Sequence, residues 1–258
     1  RMWVVEMRDY PLGPPAPGTP GKEPEPPLSR IKILEDEDAD GKFEKATIFA
    51  EKLSFVTGLQ PWKGGVIVTL AGRIAWMKDT NGDDRMDIDE TWYTGFAEQN
   101  SQLRANHPRL ALDNHVYVAN GLRGGVVVNK RLPNEPPINL QGRDFRFDPL
   151  TGKAESISGN GQFGMCFDDW GNRFTCTNRN PVIHVVLEDR YLKMAPKTPI
   201  PAVVQDVAAA AEKSKVYPIS RAWTTSNLHA GTFTAACGVH VYRGDTLRDV
   251  LGTNSVFT

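Results

Sequence analysis

Cysteine is scarce in this chain, with Cys166, Cys176 and Cys237 the three in 258 residues. They form neither a CxxC nor the CxxCH that attaches haem, which excludes a c-type cytochrome from this stretch. With a turn at Asp169–Asn172, Cys166 and Cys176 fall on opposite faces of their hairpin, so three unpaired thiols are expected; a one-residue slip would set the two opposite each other. Net charge is also lacking. Thirty basic residues against 31 acidic ones leave a balance of -1, so no field gathers nucleic acid or an anionic membrane around the whole surface. No apolar run approaches the roughly 20 residues that span a bilayer, and no transmembrane segment is expected. A charged-then-apolar leader is missing too: Arg1 leads directly into the strand-like MWVVEMRDY and Thr258 falls inside NSVFT. The chain therefore reads as a piece of a longer protein.

What the sequence does have is punctuation. Nineteen Pro and 23 Gly argue for many short turns rather than long helices. Apolar or alternating runs occur at Trp3–Glu6, Arg30–Leu34, Lys45–Phe49, Gly65–Leu70, Ile74–Met77, Val116–Ala119, Val126–Asn129, Phe145–Phe147, Gln162–Phe167, Arg173–Thr177, Val182–Leu187 and Val239–Tyr242. Each is bounded by Gly, Asp, Asn or Pro, the pattern of repeated antiparallel strands. Leu110–Asn120 and Met165–Asn178 share an order of apolar run, Asp, turn, alternating strand and Asn. A hairpin that recurs in this way is the signature of propeller blades. The fold class read from these features is all-β, a single incomplete β-propeller domain over 1–258. Residues 11–27, rich in Pro and Gly, read as a surface loop, and Gln205–Lys215 as a short helix or a loop excursion between strands.

Two acid-rich turns are candidate cation sites. Asp79–Glu90 places oxygen side chains at positions 1, 3, 5, 9 and 12 of a twelve-residue loop, namely Asp79, Asn81, Asp83, Asp87 and Glu90. That spacing wraps a hard cation such as Ca²⁺. Position 6, where Gly is the rule, holds Asp84, a residue that tolerates a left-handed backbone. Asp36, Asp38 and Asp40 repeat the first half of the pattern, but the twelfth position is Thr47. The alternative for both is a solvated acidic turn. Neither loop contains a nucleophile or base, so either ion would be structural.

Two further constellations carry possible chemistry. In Asn100–Gly125, Arg104 and His107 precede one strand while Asn120 and Arg123 follow it, so both groups can face one mouth. A His beside guanidinium groups has its pKa lowered, leaving a neutral imidazole able to accept a proton. The alternative is that His107, followed by Pro108, ends a strand and bonds a backbone carbonyl. Around Asn178–Pro181, Arg179 suits bidentate recognition of a carboxylate or phosphate, and Asn180, Asn227 and His229 supply donors and acceptors beside it. Its alternative is an ion pair of Arg179 with Asp168 or Glu188 between blades. His184, inside the apolar VIHVV, reads as a core or edge histidine.

From WVVEMRDYP through DFRFDPLTG, GQFGMCFDDWGNRFTCTNRNPVIHVVLEDRYL and ISRAWTTSNLHAGTFTAACGVHVYRGD, nearly the whole chain resembles the membrane-bound dehydrogenase domain family of planctomycetes and related bacteria. Those proteins carry a propeller similar to the quinoprotein glucose and sorbosone dehydrogenases. The resemblance implies an exported, periplasmic or envelope-associated protein with a six-bladed propeller, of which this chain supplies roughly four blades. It further implies oxidation of a sugar or alcohol by pyrroloquinoline quinone (PQQ), with a c-type cytochrome acceptor outside this segment. On that basis His107 corresponds to the catalytic base, and Arg179 and Asn180 lie in a counterpart of the quinoproteins' RNP segment. The chain departs from the pattern at Asn178, where the quinoproteins usually have His, and at Leu103, where many family members have His.

PQQ is a flat tricarboxylate, so its site needs several cations, for which Arg104, Arg123 and Arg179 are the candidates; a Ca²⁺ would polarise its reactive carbonyl. Two alternatives belong to other classes. A cofactor-free, calcium-stabilised propeller binding polysaccharide or a protein partner would need no base. A metal-dependent lactonase-like hydrolase would need an acidic residue beside Asn ligands at the central channel.

Overall fold

Strands dominate because apolar residues recur with period two between turn-forming Gly, Asp, Asn and Pro. The computed structural model describes residues 1–11, 27–217, 231–253 and 255–258. Nearly all of the Pro/Gly-rich loop expected at 11–27 lies outside them. The first sheet has the order β1 (Met2–Glu6), β2 (Ser29–Glu35), β3 (Lys45–Leu53). The second runs through β4 (Gly58–Trp62), β5 (Gly65–Leu70), β6 (Arg73–Lys78) and β7 (Ile88–Phe96). The third follows β8 (Asn106–Leu110), β9 (Val116–Ala119), β12 (Asp144–Phe147) and β13 (Ala154–Ile157). Between β9 and β12 a hairpin, β10 (Gly125–Asn129) and β11 (Ile138–Asn139), crosses back to extend the second sheet at β7. The fourth is β14 (Met165–Phe167), β15 (Arg173–Thr177), β16 (Asn180–Val185) and β17 (Val204–Asp206), and the fifth pairs β18 (His240–Val241) with β19 (Val256–Phe257). All these pairings are antiparallel, and none of the described sheets closes on itself.

The sheets stack face to face, and the alternation within single strands shows how. Every residue of β5 is buried. Its Val66 and Val68 enter a core with Ile31, Ile33 and Phe49 of the first sheet, while Ile67 enters a core with Phe145 and Phe147 of the third. In β9, Val116 and Val118 join that second core, whereas Tyr117 and Ala119 face Met165 of the fourth sheet. A fourth core sets Cys166, Cys176 and Val182 against Val239 and Val241. The largest of these interfaces is aromatic: the Phe145 ring meets Tyr93 at 5.1 Å and Phe96 at 5.3 Å, both edge to face, geometries that add to the burial of roughly 1.5–3 kcal/mol per large side chain.

Polar residues also join neighbouring sheets. Arg173 of β15 reaches Asp144 of β12 at 2.9 Å, and both side chains are fully buried. Asp144 accepts further from Asn120 N and Gly161 N, and Arg173 donates to Glu188 and the Ser158 carbonyl. The alternative reading of Arg179 was an ion pair between sheets with Asp168 or Glu188; it is Arg173 that pairs with Glu188.

Several strands escape the sequence reading, among them β4, β7, β8, β13 and β17. Gln205–Lys215 resolves into the end of β17 followed by a single 3₁₀ turn, Ala211–Lys213. Two short helices, α1 (Asp189–Met194) and α2 (Arg248–Leu251), complete the described elements. No helix among the described residues is long and apolar enough to cross a membrane. The hairpin turn after β14 is one residue longer than expected, Asp168–Asn172, with Phe167 opposite Arg173. Cys166 thus pairs with Phe174 and shares a face with Cys176 as a diagonal neighbour rather than lying on the opposite face. Diagonal positions are about 7–8 Å apart, too far for a disulfide, and all three thiols are free.

Candidate functional site

The first strands of successive sheets lie side by side: β4 against β8, β8 against β14, and β14 against β18. The segments leading into them are laced together. Thr57 Oγ1 donates to the Ala105 carbonyl at 2.6 Å, Asn106 Nδ2 to the Gln162 carbonyl at 2.7 Å, and Gly238 N to the Phe163 carbonyl at 2.8 Å. Between them opens a cavity of about 630 Å³, within the range of small-molecule sites. Its walls combine apolar Val5, Val56 and Phe163 with polar Arg104, His107 and Asn178.

His107 enters this cavity through a strained backbone. The register of β8 against β9 shifts between Asn106 and Arg109, and His107 takes a left-handed φ of 50° inside that bulge. Bulges re-aim side chains, and strain of this kind in a residue other than Gly persists only where its surroundings enforce it. Here Gly58 enforces it: a Cβ on Gly58 would stand 2.7 Å from Pro108 Cδ, so β4 presses directly on the bulge.

Asn106 fixes the imidazole. Its Nδ2 donates to the carbonyls of Arg104 and Gln162, so its Oδ1 is the acceptor for Gly164 N and for His107 Nδ1, 3.1 Å away. The proton of the neutral ring therefore sits on Nδ1 and the lone pair on Nε2. Burial, with a smaller contribution from the Arg109 guanidinium, lowers the His107 pKa from 6.5 to about 4. The lowering was expected, but its main cause is desolvation and the cation is Arg109.

Arg104 is buried, 9% exposed. Its guanidinium stacks over Phe55, 3.9 Å from the ring centroid, and donates to the Glu98 carbonyl at 3.2 Å. The Glu98 carboxylate stands 4.0 Å away, and Arg104 Nε is buried with no hydrogen-bond partner. Gly121 holds the backbone here, because a Cβ at that position would collide with the Arg104 carbonyl.

The other expected site residues lie elsewhere. Arg123 is exposed in the turn between β9 and β10, away from the cavity lining. Arg179 pairs with Glu212, and Asn180 bonds Thr177 and Asp206; neither lines the cavity. The neighbour that does is Asn178, held by its backbone N–H on Gln162 Oε1. Asn227 and His229 lie outside the described residues. His184, read as a core or edge histidine, stands on an inner strand paired on both sides and stacks on Phe174 with centroids 5.1 Å apart. Asn106 and Gln162, which position the site, were missed; for Asn106 the available signal was the polar QLRANHP run before a short strand.

The acidic turns rank in reverse of their spacing. In the Asp79 loop, Asp79 accepts from the backbone N–H of Asn81, Gly82 and Asp84, and Asn81 and Asp83 each accept from the N–H two residues on. Asp87 accepts from Thr80, and Glu90 points out from β7 opposite Trp76. Asp84 does take the left-handed conformation expected at position 6, with φ 63°. Among the described residues the carboxylates that converge are Asp36, Asp38, Asp40 and Glu44, whose ligand oxygens lie within 4.8 Å of one another. Glu44 stands at position 9 of that loop and supplies an acid that counting to position 12 overlooks. These oxygens suit a hard cation.

The chain belongs to the family described as Domain of unknown function (DUF7133), whose model matches residues 1–258. No curated protein and no solved structure matches it.

Proposed function

We propose that this DUF7133 chain is part of a six-bladed β-propeller of the quinoprotein glucose dehydrogenase type, and that its cavity oxidises a hydroxyl group of a sugar or alcohol. Two features support the blade reading: four-stranded meanders stacked face to face, and first strands that lie side by side around one cavity. Ligand sites in such folds occupy the mouth formed by strand ends.

The observation that carries the chemistry is His107, a lining residue of the cavity, neutral, with Nδ1 committed to Asn106 and the lone pair left on Nε2. In the oxidation the hydroxyl oxygen loses its proton to Nε2, the carbon loses a hydride, and a carbonyl forms. Such an oxidation would need a bound two-electron acceptor for the hydride, and the proton on Nε2 would pass on to solvent. PQQ, the acceptor implied by resemblance, carries three carboxylates. The described lining offers one guanidinium, that of Arg104, because Arg123 and Arg179 lie elsewhere. The described residues do not by themselves fit that cofactor, so no step is assigned to it.

Reduction of an artificial dye by the full-length protein, supplied with PQQ and Ca²⁺ and a panel of sugars and alcohols, tests the reading. Substrate-dependent reduction is expected, falling about 10²-fold or more in His107→Gln. A folded protein that oxidises nothing would overturn it in favour of a cofactor-free binding propeller, for which the mostly apolar cavity wall is the supporting observation. A lactonase-like hydrolase is the weakest alternative, since no acidic side chain is found among the described lining residues.

A further inference from the structure

We infer that the ligand of this cavity carries one carboxylate: the substrate is a hydroxy acid or sugar acid, its carboxylate bound by Arg104 and its hydroxyl presented to His107. The inference rests on the proposed reading of the cavity as a hydroxyl-oxidising site.

A guanidinium taken out of water is costly unless it is paired and its donors are satisfied. Arg104 is 9% exposed, yet its Nε has no partner. Its nearest carboxylate, Glu98, is 4.0 Å away on a side chain that is 58% exposed, so water screens it. Asp9 also acts on Arg104 through its charge, but the Asp9 oxygens are taken by Leu28 N, Ser29 N and Oγ, and Phe55 N. The cation is therefore left under-neutralised at the wall of a cavity whose described lining has no acidic side chain.

Shape points the same way. Stacking on Phe55 and close approach by Gly121 hold Arg104 in place without using its Nε. A planar carboxylate is the partner that a guanidinium fork takes in two parallel bonds. One cation matches one anionic group, and Asn178, Gln102 and Ser101 in the cavity lining supply neutral donors and acceptors for hydroxyls. A carboxylate in the cavity also opposes the desolvation that weakens His107 as a base, so binding the acid would raise its proton affinity.

The test compares D-galacturonate with D-galactose, which differ by the carboxylate, by calorimetric titration of the full-length protein; gluconate and glycolate extend the panel. Galacturonate or another acid of the panel is expected to bind on the order of tenfold to a hundredfold tighter than its neutral counterpart. The preference should shrink in high salt, shrink partly in Arg104→Lys and vanish in Arg104→Met. The salt series on the unaltered protein keeps the test valid if Arg104→Met does not fold. Equal binding of acid and neutral sugar, or no binding by any of the three acids, would overturn the inference. Acid binding that depends on Arg104 without any dye reduction would uphold it while sinking the oxidoreductase reading.

Discussion

Two arginines are buried among the described residues, and their surroundings differ. Arg173, between the third and fourth sheets, meets Asp144 at 2.9 Å and Glu188 at 3.1 Å, and also bonds the Ser158 carbonyl. Arg104, at the cavity, has one carbonyl, one carboxylate at 4.0 Å and an unpartnered Nε. The first is a closed joint whose charge is cancelled inside the fold. The second lines the cavity with its charge not cancelled by a close carboxylate. Burial alone therefore does not separate a structural cation from a binding one; the completeness of its partners does.

The largest expected effect falls on the closed joint. Arg173→Met strands the Asp144 carboxylate in a fully buried site and should cost about 3–5 kcal/mol in urea unfolding, most of it recovered by adding Asp144→Leu. A single variant that unfolds like the parent would break the comparison. Next comes pH. The His107 pKa is about 4 folded and 6.5 as the ordinary value, so above pH 6.5 both states are neutral and stability is flat. As pH falls from about 6.5 to about 4 the unfolded chain takes up the proton first, and about 3 kcal/mol is lost. His107→Gln should flatten that part of the stability curve.

Smaller effects sharpen the contrast. Arg104→Met should change the unfolding free energy by no more than about 1 kcal/mol, because the lost stacking is offset by relief of an unpaired buried donor. A loss as large as that of Arg173→Met would mean that Arg104 is structural after all. Smallest of all, Ca²⁺ held by Asp36, Asp38, Asp40 and Glu44 should raise the melting temperature by a few degrees at most, and Asp38→Asn should reduce the shift.

Much of the fold was legible where one face or both faces of a strand are apolar. GVIVTL and VYVA announce β5 and β9 by composition alone. Strands β4 and β8 hide because each contains a proline, in GLQPW and NHPRL, and β7 because three of its first four residues, in IDET, are polar. At the site, Arg104 and His107 were legible as a polar cluster before a strand. Their separation from Arg123 and Arg179 was not, because it depends on a one-residue bulge in β8 and on Glu212, 33 residues from Arg179. The spacing of the Asp79 loop was legible as a pattern, but local backbone N–H groups take up oxygens of Asp79, Asp83 and Asp87.

The most direct test is the protonation of His107, followed through its ring nitrogens by heteronuclear NMR from pH 7 to pH 3. The account requires a neutral ring at pH 7 with its proton on Nδ1 and a midpoint near 4. A proton on Nε2 would leave no lone pair there to take the substrate proton and would contradict His107 as the base, and a midpoint near 6.5 would contradict the burial that lowers its pKa.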